Sequence, residues 1–199
     1  MNGPTRMSNI LRTAAALVTT AATFLPAGAR GEVIDSSALG FTVRNAVQIS
    51  APPESVYVIL VRDIGRWWNP AHTFSGDARN LSIDAAAGGC FCEKLKNGGG
   101  VRHMTVVHAN PGSILRLEGA IGPMQPMGVS GSMTWSLDKS GEGTSLVLTY
   151  SVGGYSPHGL QAMAVASDFM LKEQMGRLKN FVETGNASTG EKKQGGNDQ

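Results

Sequence analysis

The chain has 199 residues, with 17 Lys and Arg against 15 Asp and Glu, 41% hydrophobic and 16% charged residues, and two cysteines. A charge this balanced, with no Lys/Arg cluster to neutralise a run of phosphates, argues against nucleic-acid binding. The length suits one domain able to bury its own core.

Residues 1–29 read as an export signal. Arg6 and Arg12 precede the apolar run TAAALVTTAATFL, and the small residues AGA at 27–29 suit a cleavage site. That run is too short for a membrane-spanning helix, which needs roughly 20 apolar residues, so no stable membrane anchor is expected after cleavage. No cysteine lies near the site to carry a lipid, and the two arginines are not adjacent. Cleavage would leave Arg30 first, remove two cations and no anion, and bring the formal charge to zero. The expected location is the periplasm or the exterior.

Residues 30–40 form a polar lead-in, and FTVRNAVQI at 41–49 alternates as a first strand. APPESVYVILVRDIGRWWNP then reads as two short helices, with Pro52 and Pro53 at the start of the first and Asp63 capping the second. From 79 to 153 the period changes to two. RNLSID, CFCEKL, VRHMTVVHA, SILRLEG, GSMTWSLD and TSLVLTYSV are strand-like runs parted by NGGG, NPG and KSGEG turns, which makes about seven strands in all. Leu115 and Leu117, then Met133, Trp135 and Leu137, then Leu146, Leu148, Tyr150 and Val152 put apolar side chains on one face.

That face needs a cover, and the segment from Pro157 to about Thr184 supplies a helix, with Ser156 as N-cap. Leu160, Leu171 and Leu178 share one line, interrupted by Ser167 and Gln174, with Met163, Ala164, Met175 and Phe181 beside it. Val165 and Phe169 lie opposite, which predicts that the first half of the helix is covered on both sides. From Gly185 the chain has no apolar periodicity and reads as a disordered tail.

ISAPPESVYVIL, RWWNPAHTFSGDARNLSI, GGCFCEKL, VGGY and LKEQMGRLKNFVET resemble the bacterial SRPBCC (START/Bet v1-like) superfamily, including its polyketide cyclase-like members, over residues 41–184. The resemblance implies an α+β helix-grip fold: a curved antiparallel sheet of about seven strands around a long C-terminal helix, with two short helices after the first strand. It also implies a deep cavity, which different members use for lipids, hormones, polyketides or aromatic substrates. Fold alone does not choose among them.

Cys90 and Cys92 fall on the same face of a strand, with Cα atoms roughly 6.5–7 Å apart, at the far limit of disulfide geometry. Two packed, reduced thiols are therefore expected. A bridge would need a bulge, and a nucleophilic thiol would need a base such as His103 on the next strand. C-x-C with scattered histidines is not a zinc spacing, so no metal is expected, nor any cofactor. Glu93 points to the opposite face from the cysteines. It reads as a solvated or ion-paired rim residue, or, if that face lines a cavity, as a buried general base with a raised pKa.

Trp67, Trp68 and His72 fall where relatives of this fold rim the cavity mouth, and one Trp is expected to fill the core while the other meets the ligand. His108 and His158 read as surface residues. The GPMQPMG loop, with Met124 and Met127, is either an adaptable rim or a plain connection. The leading expectation is an exported binding protein for a small hydrophobic or aromatic molecule. Leu117, Met133 and Leu171 would line the cavity, and Trp135, Tyr150, Ser167 and Gln174 would orient the ligand. The alternatives are a cyclase- or hydrolase-type enzyme using His103, Glu93 or Tyr150 as acid and base, and an interaction module with a filled core and an exposed Phe169. Ligand identity and oligomeric state are not written in these patterns.

Overall fold

The computed structural model of the protein describes Met1, Gly3 and residues 29–188. Nearly all of the expected signal, and the tail beyond Ser188, lie outside the described residues.

Eight antiparallel strands form one sheet: β1 Arg30–Ser36, β2 Gly40–Ile49, β3 Leu81–Ile83, β4 Cys90–Lys94, β5 Gly100–Asn110, β6 Ile114–Glu118, β7 Gly128–Ser140 and β8 Gly143–Tyr155. Their order is β1-β2-β8-β7-β6-β5-β4-β3. Strands β3 to β8 follow one another as a meander, and β2 returns to pair with β8, carrying β1 at its outer edge. Helices α1 Pro53–Arg62 and α2 Ile64–Trp67 follow β2, and α3 Gln161–Thr184 comes after β8. This is the helix-grip α+β arrangement.

Alternation explains the core. Leu115, Leu117, Met133, Trp135, Leu137, Leu146, Leu148, Tyr150 and Val152 are each 4% exposed or less, and burying an aliphatic side chain of this size stabilises by about 1.5–3 kcal/mol. Helix α3 covers them with Ala164, Ser167, Leu171, Gln174, Met175, Leu178 and Phe181. It stops at Gly185, whose φ of +75° suits glycine and whose N–H donates to the Phe181 carbonyl at 2.9 Å.

Several expectations are corrected. The polar lead-in contains an eighth strand, β1, which needs hydrogen bonds along one side only and little apolar surface. Helix α3 starts at Gln161 rather than Pro157, because Ser156 to Gly159 close a turn through a 3.1 Å bond and Gly159 takes φ +72°. Val165 and Phe169 are 66% and 72% exposed, so the first half of α3 is covered on one side, not both. The start of the expected tail is partly held: Ala187 is buried, and Asn180 donates to the Ser188 carbonyl.

The cysteines are not free. Cys90 and Cys92 form a disulfide with Cα atoms 5.4 Å apart. The reason is local. Phe91 pairs with Met104 but Cys92 with Arg102, so His103 is an extra residue on β5 facing β4 at this step. A bulge increases twist, and twisted strands rise less per residue than the ideal pleat assumes. The register breaks between Phe91 and Cys92, within the pair itself, and there the two cysteines stand closer than the ideal pleat allows.

Candidate functional site

The same bulge builds the site. Along β5 the burial alternates until His103 and Met104, which are both buried in succession. The extra residue lets His103 turn inward beside Phe91 and Glu93, away from the disulfide. The imidazole lies 4.9 Å from the Phe91 ring and 5.7 Å from the Phe74 ring, centroid to centroid.

His103 borders a cavity of about 460 Å³, within the range of about 300–1,000 Å³ usual for small-molecule sites. One wall is the segment after α2, from Trp68 through Ala71 to Phe74; the second is Ile121–Met124; the third is the early part of α3, with Met163, Ala166, Ser167 and Met170. The polar side chains on it are His72, Thr73, His103 and Ser167, and among the described residues no Lys or Arg lines it.

Glu93 is 2% exposed and closes the first wall from behind. Its Oε2 accepts the Phe74 N–H at 3.0 Å and faces His103 Nε2 at 3.0 Å, while Oε1 accepts the Ser75 N–H at 2.5 Å. Burial alone would raise the carboxyl pKa, but bonds from Ser75, Phe74 and His103 outweigh it and hold the group below its ordinary value. Glu93 is therefore neither a solvated rim residue nor a base with a raised pKa. Burial also lowers the His103 pKa, with Glu93 only partly opposing it, so the imidazole is neutral at neutral pH.

The rest of that wall hangs on α3. Asn69 N–H donates to Gln174 Oε1 at 2.8 Å and the Asn69 amide to Glu173 Oε1 at 2.5 Å, while His72 Nε2 lies 3.0 Å from Glu173 Oε2. Arg177 Nε donates to the Trp67 carbonyl at 2.8 Å. The second wall is tied by Tyr150, whose hydroxyl donates to Gly119 O at 3.1 Å and accepts from Ile121 N at 3.2 Å. Burial pushes the Tyr150 pKa up to about 12, which keeps the phenol protonated.

Of the residues singled out from sequence, Trp68, His72, His103 and Ser167 meet at this cavity, with Met124 from the GPMQPMG loop. Trp67 is fully buried, its ring edge-on to Trp135 at 6.3 Å, and its Nε1 donates to the Ile59 carbonyl. Leu117, Met133, Trp135, Tyr150 and Leu171 are packed in the core, and Gln174 is spent on the loop backbone. His108 and His158 are exposed. Phe74, Thr73, Ile121 and Met170 are site residues that sequence reasoning did not identify. Phe74 and Thr73 lie in a loop without periodicity; the run of aromatics from Trp67 to Phe74 was their one available signal.

Known structures share the fold. The chain is similar to a conserved protein of unknown function from Enterococcus faecalis, at 17% identity with 77% of each chain covered and a TM-score of 0.54. It is likewise similar to an uncharacterised protein from Rhizobium leguminosarum, at 15% identity over 78% of this chain and 97% of that one, with a TM-score of 0.54. A third similar structure, from Micromonospora echinospora, is 17% identical over 75% of this chain and 78% of that one, with a TM-score of 0.51. Among curated proteins none matches the sequence. Residues 40–184 match the family described as polyketide cyclase / dehydrase and lipid transport. With that span covering most of the chain and the helix-grip fold in place, the protein belongs to the polyketide cyclase/dehydrase and lipid transport family.

Proposed function

We propose that this is an exported binding protein that takes one small, neutral, hydrophobic or aromatic molecule into the cavity between the Trp68–Phe74 segment, the Ile121–Met124 segment and α3. The family is associated with small hydrophobic ligands. The observation that carries the reading is the cavity itself: about 460 Å³ walled mainly by Trp68, Phe74, Ile121, Met124, Met163 and Met170. Such a surface favours an apolar ligand because its burial removes water from both partners. The Met side chains adapt to different shapes.

Titration with the neutral fluorophore N-phenylnaphthylamine tests this. Wild type is expected to bind saturably, and Ser167→Phe, which sends a ring into the space, to weaken binding about tenfold, or ~1.4 kcal/mol. Absence of saturable binding, or an unchanged affinity in Ser167→Phe, refutes the reading. Export is tested separately by the intact mass of protein from the cell envelope, expected to begin near Arg30.

One observation favours a second reading, catalysis in the same space: a neutral imidazole at the cavity is held by an ionised carboxylate, as a general base requires. That reading requires a bound compound to be converted by wild type and left unchanged by His103→Ala.

A further inference from the structure

Among the described residues, three buried side-chain atoms lack a hydrogen-bond partner: Asn45 Oδ1, Tyr57 OH and His103 Nδ1. Only His103 borders the cavity. We propose that the ligand is an alcohol or phenol whose hydroxyl donates to Nδ1 of His103, and not a carboxylic acid. The inference rests on the reading of this cavity as a ligand site and adds the chemical class.

The tautomer follows from the partners. An ionised carboxylate only accepts, so the Glu93 oxygen at 3.0 Å from Nε2 requires the proton to sit on Nε2. The neutral ring then carries its lone pair on Nδ1. That atom has no exposed surface, in a residue only 5% exposed. The ring lies 5.7 Å from that of Phe74 and 4.9 Å from that of Phe91, so a hydroxyl reaches Nδ1 as the 53% exposed Phe74 gives way. An acceptor buried without a donor is destabilising, and a ligand that supplies the donor recovers that loss on binding.

Charge decides against an acid. No Lys or Arg among the described residues lines the cavity, and the charge behind the imidazole is the negative one of Glu93. A ligand carboxylate would meet a lone pair backed by a like charge and would leave water without a cation to receive it. A plain hydrocarbon would fit the walls but leave Nδ1 unpaired. A hydroxyl on an apolar body satisfies both.

Naphthalene, naphthol and naphthoate present one apolar body with no donor, a donor, and a negative charge, and their affinities at pH 7 are read by titration calorimetry. Naphthol is expected to bind about tenfold tighter than naphthalene, the equivalent of one net hydrogen bond, and naphthoate more weakly than either. In His103→Phe the ratio of naphthol to naphthalene affinity should fall to about one. Long-range proton–nitrogen NMR on wild type gives a readout independent of the variant: the imidazole proton should sit on Nε2, and naphthol but not naphthalene should move the Nδ1 resonance.

Equal binding of naphthol and naphthalene removes the hydroxyl inference and leaves the binding site. So does a naphthol advantage that survives His103→Phe, a tightest affinity for naphthoate, or a proton found on Nδ1. If none of the three binds, both the site and the inference fall.

Discussion

Removing the Glu93 carboxylate tests how the cavity wall is held. In Glu93→Ala, three donors lose their acceptor: the N–H groups of Phe74 and Ser75 and the Nε2–H of His103, now 3.0, 2.5 and 3.0 Å away. Hydrogen bonds to charged groups contribute about 1.5–3 kcal/mol each, but a simple sum overstates the loss. Phe74 is 53% exposed, so its N–H regains water when the loop lifts, and the variant no longer carries a desolvated charge. Leaving a buried neutral donor unpaired costs about 1–3 kcal/mol. With the Ser75 N–H and the His103 Nε2–H stranded and the Phe74 N–H rewetted, we expect ~3 kcal/mol in all, a large fraction of a typical stability of about 5–15 kcal/mol. Urea unfolding should show a lower midpoint at unchanged slope, with faster hydrogen exchange at the Phe74 and Ser75 amides. Glu93→Gln keeps one acceptor but sets an amide NH₂ against a donor, and should recover only part of the loss. A cost under about 1 kcal/mol in Glu93→Ala, with exchange protection kept, would show that other contacts hold the loop.

Acid should unfold the protein in two stages. His103 has a lowered folded pKa, so its contribution is present above its ordinary 6.5 and is lost as pH falls from there toward the folded value, at up to about 1.4 kcal/mol per pH unit. Glu93, also lowered, adds a second loss below its ordinary 4.5. His103→Phe should abolish the first stage and, by removing one of the bonds that lower the Glu93 pKa, shrink the second, and a first stage unchanged in that variant would refute the assignment. Thiol labelling under denaturing, non-reducing conditions should find no free thiol, and a count of two would refute the Cys90–Cys92 bridge. Leu171→Ala should cost about 2–5 kcal/mol as a core truncation. Gln174→Leu should cost about 1–3 kcal/mol through the unpaired Asn69 N–H, and a gain in stability there would refute its structural role.

The strands and the closing helix were legible because their faces differ chemically: Leu115, Leu117, Met133 and Trp135 repeat with period two, and Leu160, Leu171 and Leu178 with the helical period. Strand β1 was not, because an edge strand with Val33 half-buried and Ile34 50% exposed has little apolar pattern to show. The start of α3 was misplaced because Ser156-Pro157 has the composition of a helix start, while Gly159 completes a turn first. The site failed to read for a different reason. Alternation assigns each strand residue a face only while the register is unbroken, and His103 is where it breaks: His103 and Met104 both point inward, so parity counted from either side is wrong by one residue on the other. Periodicity also reports which residues are inside without reporting whether they enclose space. Trp135 and Tyr150 satisfy the same pattern lining a cavity or filling a core, and here they fill it.

Polar residues on a buried face invite a functional reading, and hydrogen-bond capacity decides which of them keeps one. Tyr150 uses its hydroxyl as donor to Gly119 and acceptor from Ile121. Gln174 gives its carbonyl to Asn69 and its amide to Met170. Glu93 has three donors on two oxygens. Each is spent on backbone or on a neighbour, and together they fasten two irregular segments that no strand ladder supports. Those segments are the cavity walls, so their polar anchors shape the space without facing into it. His103 differs because one nitrogen is bound and the other is not. The anchor that fixes its ring also fixes which nitrogen is left with a lone pair, and so Glu93, which touches no ligand, sets the chemistry that a ligand would meet.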